Sequence, residues 1–226
     1  DSLRVGAAAA PGETVEVRGG TYAETVTVDK ALTLQDASTP TVDAFEVAAD
    51  NVTVEGFEIT GGTVGGETAG IVVQSSTSGH TFLANNLSGP GASGKGVRIN
   101  SGVGDTEIKE SNISGWDFGI DADGPGQNVL VTDNCITGNN TAGVESTGGE
   151  TISATGNWWG ASDGPSGDFG GSGDPAEGEI DVVSFSQSKV GACPTSAQCD
   201  VPTLAADDID KENGTLSNTI SDDDGV

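Results

Sequence analysis

Val54-Glu-Gly-Phe-Glu-Ile-Thr-Gly61, Phe82-Leu-Ala-Asn-Asn-Leu-Ser-Gly89, Ile108-Lys-Glu-Ser-Asn-Ile-Ser-Gly115 and Val131-Thr-Asp-Asn-Cys-Ile-Thr-Gly138 align without a gap. Their closing glycines lie 28, 26 and 23 residues apart. A second element follows each: Gly70-Ile-Val-Val73, Gly96-Val-Arg-Ile99, Gly119-Ile-Asp-Ala122 and Gly143-Val-Glu-Ser146, with leading glycines 26, 23 and 24 residues apart. Two registers that advance together mark an internal repeat.

Each repeat holds short β-branched stretches separated by Gly, Asn, Ser and Thr, and none keeps a 3.6-residue apolar period. Helical solenoids are therefore excluded. A strand this short cannot bury its face alone. Stacked coils can, because equivalent strands pair about 4.8 Å apart and their inward side chains form columns. The columns here are Val54, Phe82, Ile108, Val131 and Ile59, Leu87, Ile113, Ile136. The pattern predicts an all-β chain, a right-handed parallel β-helix of about six coils. A propeller is the alternative, but its blades run to about 40 residues. The expected organisation is a short cap over 1–14, the β-helix over 15–192, and a disulfide loop with an acidic tail or linker over 193–226.

Asparagine recurs in the repeat, with Asn86 and Asn112 before the second apolar position and Asn85 and Asn134 one place earlier. Stacked turns need their amides satisfied, so these four are expected to form a ladder along the coil axis. Asn86 and Asn112 also head formal glycosylation sequons, but a buried turn cannot carry a glycan. Asn139-Asn-Thr and Asn213-Gly-Thr, expected in loops, are the better acceptors.

The 226 residues carry 8 Lys+Arg against 35 Asp+Glu, a formal net charge of −27. That charge excludes a generic nucleic-acid binder, which needs a basic footprint, and argues against docking on anionic lipid. Acidity is spread along the chain and is densest over 205–226. Such a surface repels itself at low ionic strength and is relieved when molar salt shortens the Debye length to about 3 Å. The composition therefore reads as salt-adapted; an ordinary acidic secreted protein or a calcium-loaded surface protein are the alternatives. No apolar run reaches the roughly 18 residues of a membrane span and none resembles a signal peptide, so Asp1 reads as a mature or trimmed start.

Three cysteines are an odd count. Cys193 and Cys199 flank a five-residue loop that closes a small disulfide in an oxidising compartment, or else remain free thiols; Cys135, inside a repeat row, reads as a buried thiol. His80 follows Gly79 in an expected turn and is the only histidine, so neither a Ser-His-Asp set nor a His-bearing metal set can be assembled. The glycines between Gly164 and Gly173 precede no helix or Lys and make no phosphate loop. Asp208, Asp210, Glu212 and Asn213 resemble a Ca²⁺ loop, but Gly214 falls one place late.

The segment Gly19-Gly-Thr-Tyr-Ala-Glu-Thr-Val-Thr-Val-Asp-Lys-Ala-Leu-Thr-Leu34 resembles the opening of the pectate-lyase-like β-helix superfamily. The closest branch looks like the Asn-rich β-helix repeats of periplasmic copper-site maturation proteins and of halophile surface proteins. Asn51 to Gly62 looks like the next coil, and Asn157-Trp-Trp-Gly-Ala-Ser-Asp-Gly-Pro-Ser-Gly167 resembles the block that closes such helices. The resemblance spans roughly 15 to 185 and is specific for fold, whereas fold and activity are separable. It implies an N-terminal cap, for which Leu3, Val5 and Ala7 to Ala10 are available. Trp158 and Trp159 read as core closure at the last coil; a ring pointing outward would instead offer a sugar platform. A copper-maturation role implies a periplasmic partner, but methionine is absent and excludes thioether sites.

Polysaccharide lyases and hydrolases of this superfamily imply clustered carboxylates and a base on one lateral face, with Ca²⁺ acidifying the sugar. Lys95, Arg98 and Lys109 are the bases of the middle coils, and Asp121 and Asp123 are expected one coil above Arg98. Arg98, Asp121 and Asp123 are thus the candidate catalytic set, and the same two aspartates are candidate Ca²⁺ ligands. Acidic residues are spread over the whole chain, so a solvated acidic face is the favoured reading of them. The expected function is an extracellular or cell-surface, non-enzymatic module without a required cofactor. It would act in adhesion or fibre formation and bind carbohydrate or a cell-surface component on a lateral face. A lyase or hydrolase of acidic polysaccharide is the alternative. A monomer is expected, with axial self-assembly through the open coil edge as the exception.

Overall fold

The computed structural model describes residues 9–91 and 93–193. The chain divides at Cys193 into two units, Asp1–Cys193 and Pro194–Val226, the second of which lies outside the described residues. Cys199, Asp208, Asp210, Asn213, the acidic tail and the cap positions before Ala9 therefore lie outside them as well.

The first coils contain β1 (Thr14–Val17), β2 (Gly20–Val28), β3 (Thr33–Asp36) and β4 (Pro40–Val47). Next come β5 (Thr53–Glu55), β6 (Glu58–Ile59), β7 (Gly62–Val64) and β8 (Glu67–Val73). Three regular coils follow: β9 (His80–Leu83), β10 (Asn86–Ser88), β11 (Lys95–Ile99); β12 (Asp105–Lys109), β13 (Asn112–Ser114), β14 (Phe118–Ala122); and β15 (Asn128–Thr132), β16 (Cys135–Thr137), β17 (Ala142–Ser146). The end comprises β18 (Ile152–Ser153), β19 (Pro165–Gly167), β20 (Gly173–Gly178) and β21 (Ile180–Asp181). These strands form a right-handed parallel β-solenoid of about six turns.

One face is the eight-stranded sheet β1-β3-β5-β9-β12-β15-β18-β21. The other two faces belong to a thirteen-stranded sheet that turns a corner at β4, which pairs with both β6 and β8. Inward columns follow the register: Leu34, Val54, Phe82, Ile108, Val131 on the first face and Val42, Ile59, Leu87, Ile113, Ile136 on the second. Phe45, Ile71, Val97, Ile120, Val144 and Ala176 line the third, all buried. Burial of these columns is what holds the coils together, since each side chain gains apolar contacts only from the coils above and below.

The leading glycines sit where coils approach too closely for a side chain. A Cβ on Gly96 would stand 2.4 Å from the Gly119 carbonyl oxygen and 3.1 Å from the Trp116 ring. Trp116, fully buried, donates its indole N–H to the Leu87 carbonyl oxygen at 3.1 Å.

At the corner after the first face, asparagines form one ladder inside the coil and one outside it. In the buried ladder, Asn85 Oδ1 accepts from Phe57 N and Asn85 Nδ2 donates to Val54 O, both one coil back. Asn134 repeats this with Ser111 N and Ile108 O, and Asn157 with Asn134 N and Val131 O. Ser111 fills the missing rung by accepting from Asn85 N. The residue before each rung is left-handed: Ala84, Glu110, Asp133 and Gly156 have φ of 52°, 51°, 55° and 73°, and Gly56, at the same place before Phe57, has 83°. That conformation costs a non-glycine residue about 1–2 kcal/mol, which the satisfied amides offset. Asn86 and Asn112 stand one place on, in the outer ladder, where Asn112 Nδ2 donates to Asn86 Oδ1 at 2.6 Å.

Four expectations need correction. Asn139 is no loop acceptor for a glycan: it is buried, its Oδ1 accepts from Trp116 N, and its Nδ2 donates to Ile113 O and Asp174 Oδ2. It is a rung of a third ladder that Asp174 completes. His80 is not in a turn but opens β9, buried, across from Thr106. The disulfide joins Cys135 to Cys193, with Cα atoms 4.8 Å apart, in place of the expected Cys193–Cys199 loop. Cys135 is accordingly no thiol: it continues the outward column of Asn86 and Asn112, where the segment ending at Cys193 covers it. Trp159 is fully buried, while Trp158 is half-buried and bridges to Cys135.

Candidate functional site

On the third face the outward positions form a column of their own. Register places Glu46, Val72, Arg98, Asp121, Glu145 and Glu177 one above another on β4, β8, β11, β14, β17 and β20. Arg98 lies directly across from Asp121, one coil apart, as the candidate set requires. Its Nη1 pairs with Asp121 Oδ2, its Nη2 with Asp123 Oδ2 at 2.6 Å, and its Nε donates to Asn100 Oδ1 at 3.3 Å. Lys95, three residues earlier on the same strand, reaches Asp121 Oδ2 and Glu67 Oε2, both at 3.1 Å. Asp121 is nearly buried and two cations meet on it; Asp123 is half-exposed.

Charge is unbalanced farther along the column. The Glu145 carboxyl is held above the ordinary carboxylate range, first by burial and then by the like charges of Asp121 and Glu177; Lys95 and Arg98 oppose this. A carboxyl of raised pKa one coil from a second carboxyl is an arrangement that general acid catalysis uses.

The face has a wall that the repeat pattern does not announce. β7 and β8 pair antiparallel through Gly65 and Gly66, both left-handed, as a two-residue hairpin turn demands. The hairpin overhangs a cleft of about 200 Å³ lined by Val64, Gly65, Glu67, Val72, Gln74, Arg98 and Asn100. The Gly65-Gly66 pair between Thr63-Val64 and Glu67-Thr68 was the available sequence signal. Asp174, the last rung of the third ladder, had none, because it lies 35 residues beyond its partner Asn139.

Elsewhere the polar groups serve the fold. The Thr77 hydroxyl donates to Gln74 O at 2.7 Å and so accepts from His80 Nε2 at 3.0 Å, which fixes the neutral tautomer and leaves Nδ1 without a partner. Burial holds the His80 pKa below its usual value, against the charge of Asp50. Among the described residues no group of three or more His, Cys, Asp or Glu side chains could hold a metal ion. Among them, too, no helix is long and apolar enough to cross a membrane.

A family model described as the right handed beta helix region matches residues 43–160, 118 of the 226 residues. No curated protein matches the chain, and no solved structure does.

Proposed function

The chain belongs to the right-handed β-helix family, and from that premise we propose that it is a non-enzymatic module of a salt-adapted cell surface or extracellular space. The solenoid acts there as a rigid spacer in adhesion or fibre formation, and its third face binds carbohydrate. The observation that carries this reading is the engagement of Arg98. Both of its Nη atoms and its Nε are held by Asp121, Asp123 and Asn100, so the guanidinium is a fixed brace. A brace of this kind shapes a binding face and takes no proton from a sugar. The Cys135–Cys193 bridge supports an oxidising, extracytoplasmic setting. A charge of −27 supports a monomer and residence in salt. No cofactor belongs to this reading: Asp121 and Asp123, the candidate Ca²⁺ ligands, already face Lys95 and Arg98 and so do not fit a Ca²⁺ site.

Binding to glycan and cell panels, before and after shortening the loops that border the third face, tests the reading. Loss of a measured interaction on shortening supports it, and absence of any partner counts against it. One observation favours a second reading, hydrolysis or lyase cleavage of an acidic polysaccharide: the raised Glu145 carboxyl beside Asp121. Reducing-sugar and unsaturated-product assays at high salt separate the two. Turnover lost in Arg98→Ala or Glu145→Gln overturns the binding-module proposal.

A further inference from the structure

The cleft beneath the β7–β8 hairpin differs from the rest of the acidic surface in what its side chains have left to offer. Its charges are satisfied. Arg98 is held by Asp121 and Asp123, and Glu67 accepts from Lys95. Behind the cleft, Glu46 accepts from Gln74 Nε2 at 2.9 Å and from the Thr27 hydroxyl at 3.1 Å. The half-exposed neutral amides keep donors to spare. Asn100 Nδ2 reaches Gln74 Oε1 only at 3.5 Å, the limit of a useful hydrogen bond, and Gln74 Nε2 keeps a second N–H. Val64 and Val72 give the cleft an apolar side.

We propose that this cleft is a subsite for one neutral, hydroxyl-rich sugar unit, an inference that rests on the carbohydrate-binding reading of the third face. Adjacent hydroxyls each donate and accept, which suits the Asn100 amide, the Gln74 amide and the free oxygen of Glu67 together. The ring's C–H surface meets only the edge that the buried Val64 and Val72 leave at the cleft floor. A uronate carboxylate is excluded on charge: Arg98 is already matched, and Glu46, Glu67, Asp121 and Asp123 surround it. An ammonium group finds the Glu46 oxygens taken by Gln74 and Thr27 and Asp121 and Asp123 already facing Lys95 and Arg98, which leaves it only the second oxygen of Glu67 at the exposed rim. The unit sits on a lateral face where successive coils repeat every 4.8 Å or so, so a longer saccharide continues along the axis toward Asp123.

Binding of neutral hexose oligosaccharides, polyuronate fragments and deacetylated amino-sugar oligosaccharides is measured by calorimetry on the full chain at molar and at lower salt. The expected result is binding of a neutral oligosaccharide with little dependence on salt. Gln74→Ala and Asn100→Ala each weaken it about 3- to 10-fold, the value of one lost neutral hydrogen bond. Asn128→Ala, on the first face, leaves it unchanged, and the melting temperatures of all three variants report that the fold is retained. Preference for the charged fragments overturns the neutral-sugar assignment. Neutral binding that neither cleft variant weakens places the subsite elsewhere and overturns the inference while leaving the carbohydrate reading standing. Absence of binding to every class overturns both.

Discussion

Among single residues, Asn134 concentrates the logic of the coil. Its side chain satisfies Ser111 N–H and Ile108 C=O while its own N–H is satisfied by Asn157, all out of water. Asn134→Ala strands two buried backbone groups, so it should lower stability by roughly 2–5 kcal/mol, against about 1 kcal/mol or less for Asn86→Ala on the outer ladder. Urea unfolding of the two variants measures the contrast; equal losses would contradict the distinction between the ladders. His80 makes a second residue-scale prediction. Its pKa is lowered in the fold, so the unfolded chain binds the proton more readily. Stability due to the neutral ring is complete above the unfolded value of about 6.5 and is lost as pH falls from there toward the folded value. His80→Val should flatten the pH dependence of the melting temperature in that window, and Thr77 keeps its bond to Gln74 O. A slope unchanged by the substitution would assign it to other groups.

At the scale of the element, a β-strand here is defined by its neighbours one coil away. β6, β10, β13 and β16 have two or three residues each, too few to persist alone, and hold their places through pairing and the corner turns. The corner tolerates no extra atom. Gly96→Ala brings a Cβ to within 2.4 Å of a backbone oxygen, whereas a Cβ on Gly138, φ 72°, meets nothing within 4 Å. Gly96→Ala should therefore cost about 2–3 kcal/mol through displaced strands, and Gly138→Ala only the left-handed penalty of about 1 kcal/mol. Thermal melts of the two variants settle the order, which reverses if the corner can open. The hairpin β7–β8 is the exception among elements, being antiparallel and bonded within its own coil. It adds a wall without disturbing the stack, and Ala44, Val64, Ala69 and Val72 bury a small cluster beneath it.

For the whole molecule, the bridge between Cys135 and Cys193 closes a span of 58 residues and ties the last segment down onto the side of the solenoid. Cys193→Ser should lower stability by about 2–4 kcal/mol, and peptide mapping under non-reducing conditions should recover the 135–193 pair. Recovery of a 193–199 pair instead would refute the packing of that segment. The charge of −27 sets the remaining prediction. Lowering NaCl from molar to about 0.1 M lengthens the screening distance from about 3 to 10 Å, so the melting temperature should fall substantially and recover in part on acidification toward the pI. A melting temperature indifferent to salt removes the salt-adapted reading.

The repeat, the parallel β-solenoid and its inward columns were legible in the sequence because each depends on a period, and a period survives without coordinates. So was the placing of Asp121 above Arg98, which follows from counting one coil of 23 residues. The sequence alone determined which residues stack. Tertiary structure decided what they touch at corners and ends, where no period applies. Asn139 stays in the connection between β16 and β17 but turned inward into a ladder because Asp174, from a later coil, reached its backbone and side chain. His80 went inward because β9 extends back to it, two residues before the inward Phe82 and on the same face of the strand. Cys135 found Cys193 because an outward position on the coil was covered by a chain returning from 58 residues away, a contact that no local pattern records. The cleft under the hairpin has the same origin: Val64 and Gly65 come from one coil and Arg98 and Asn100 from the next, and only stacking makes them neighbours.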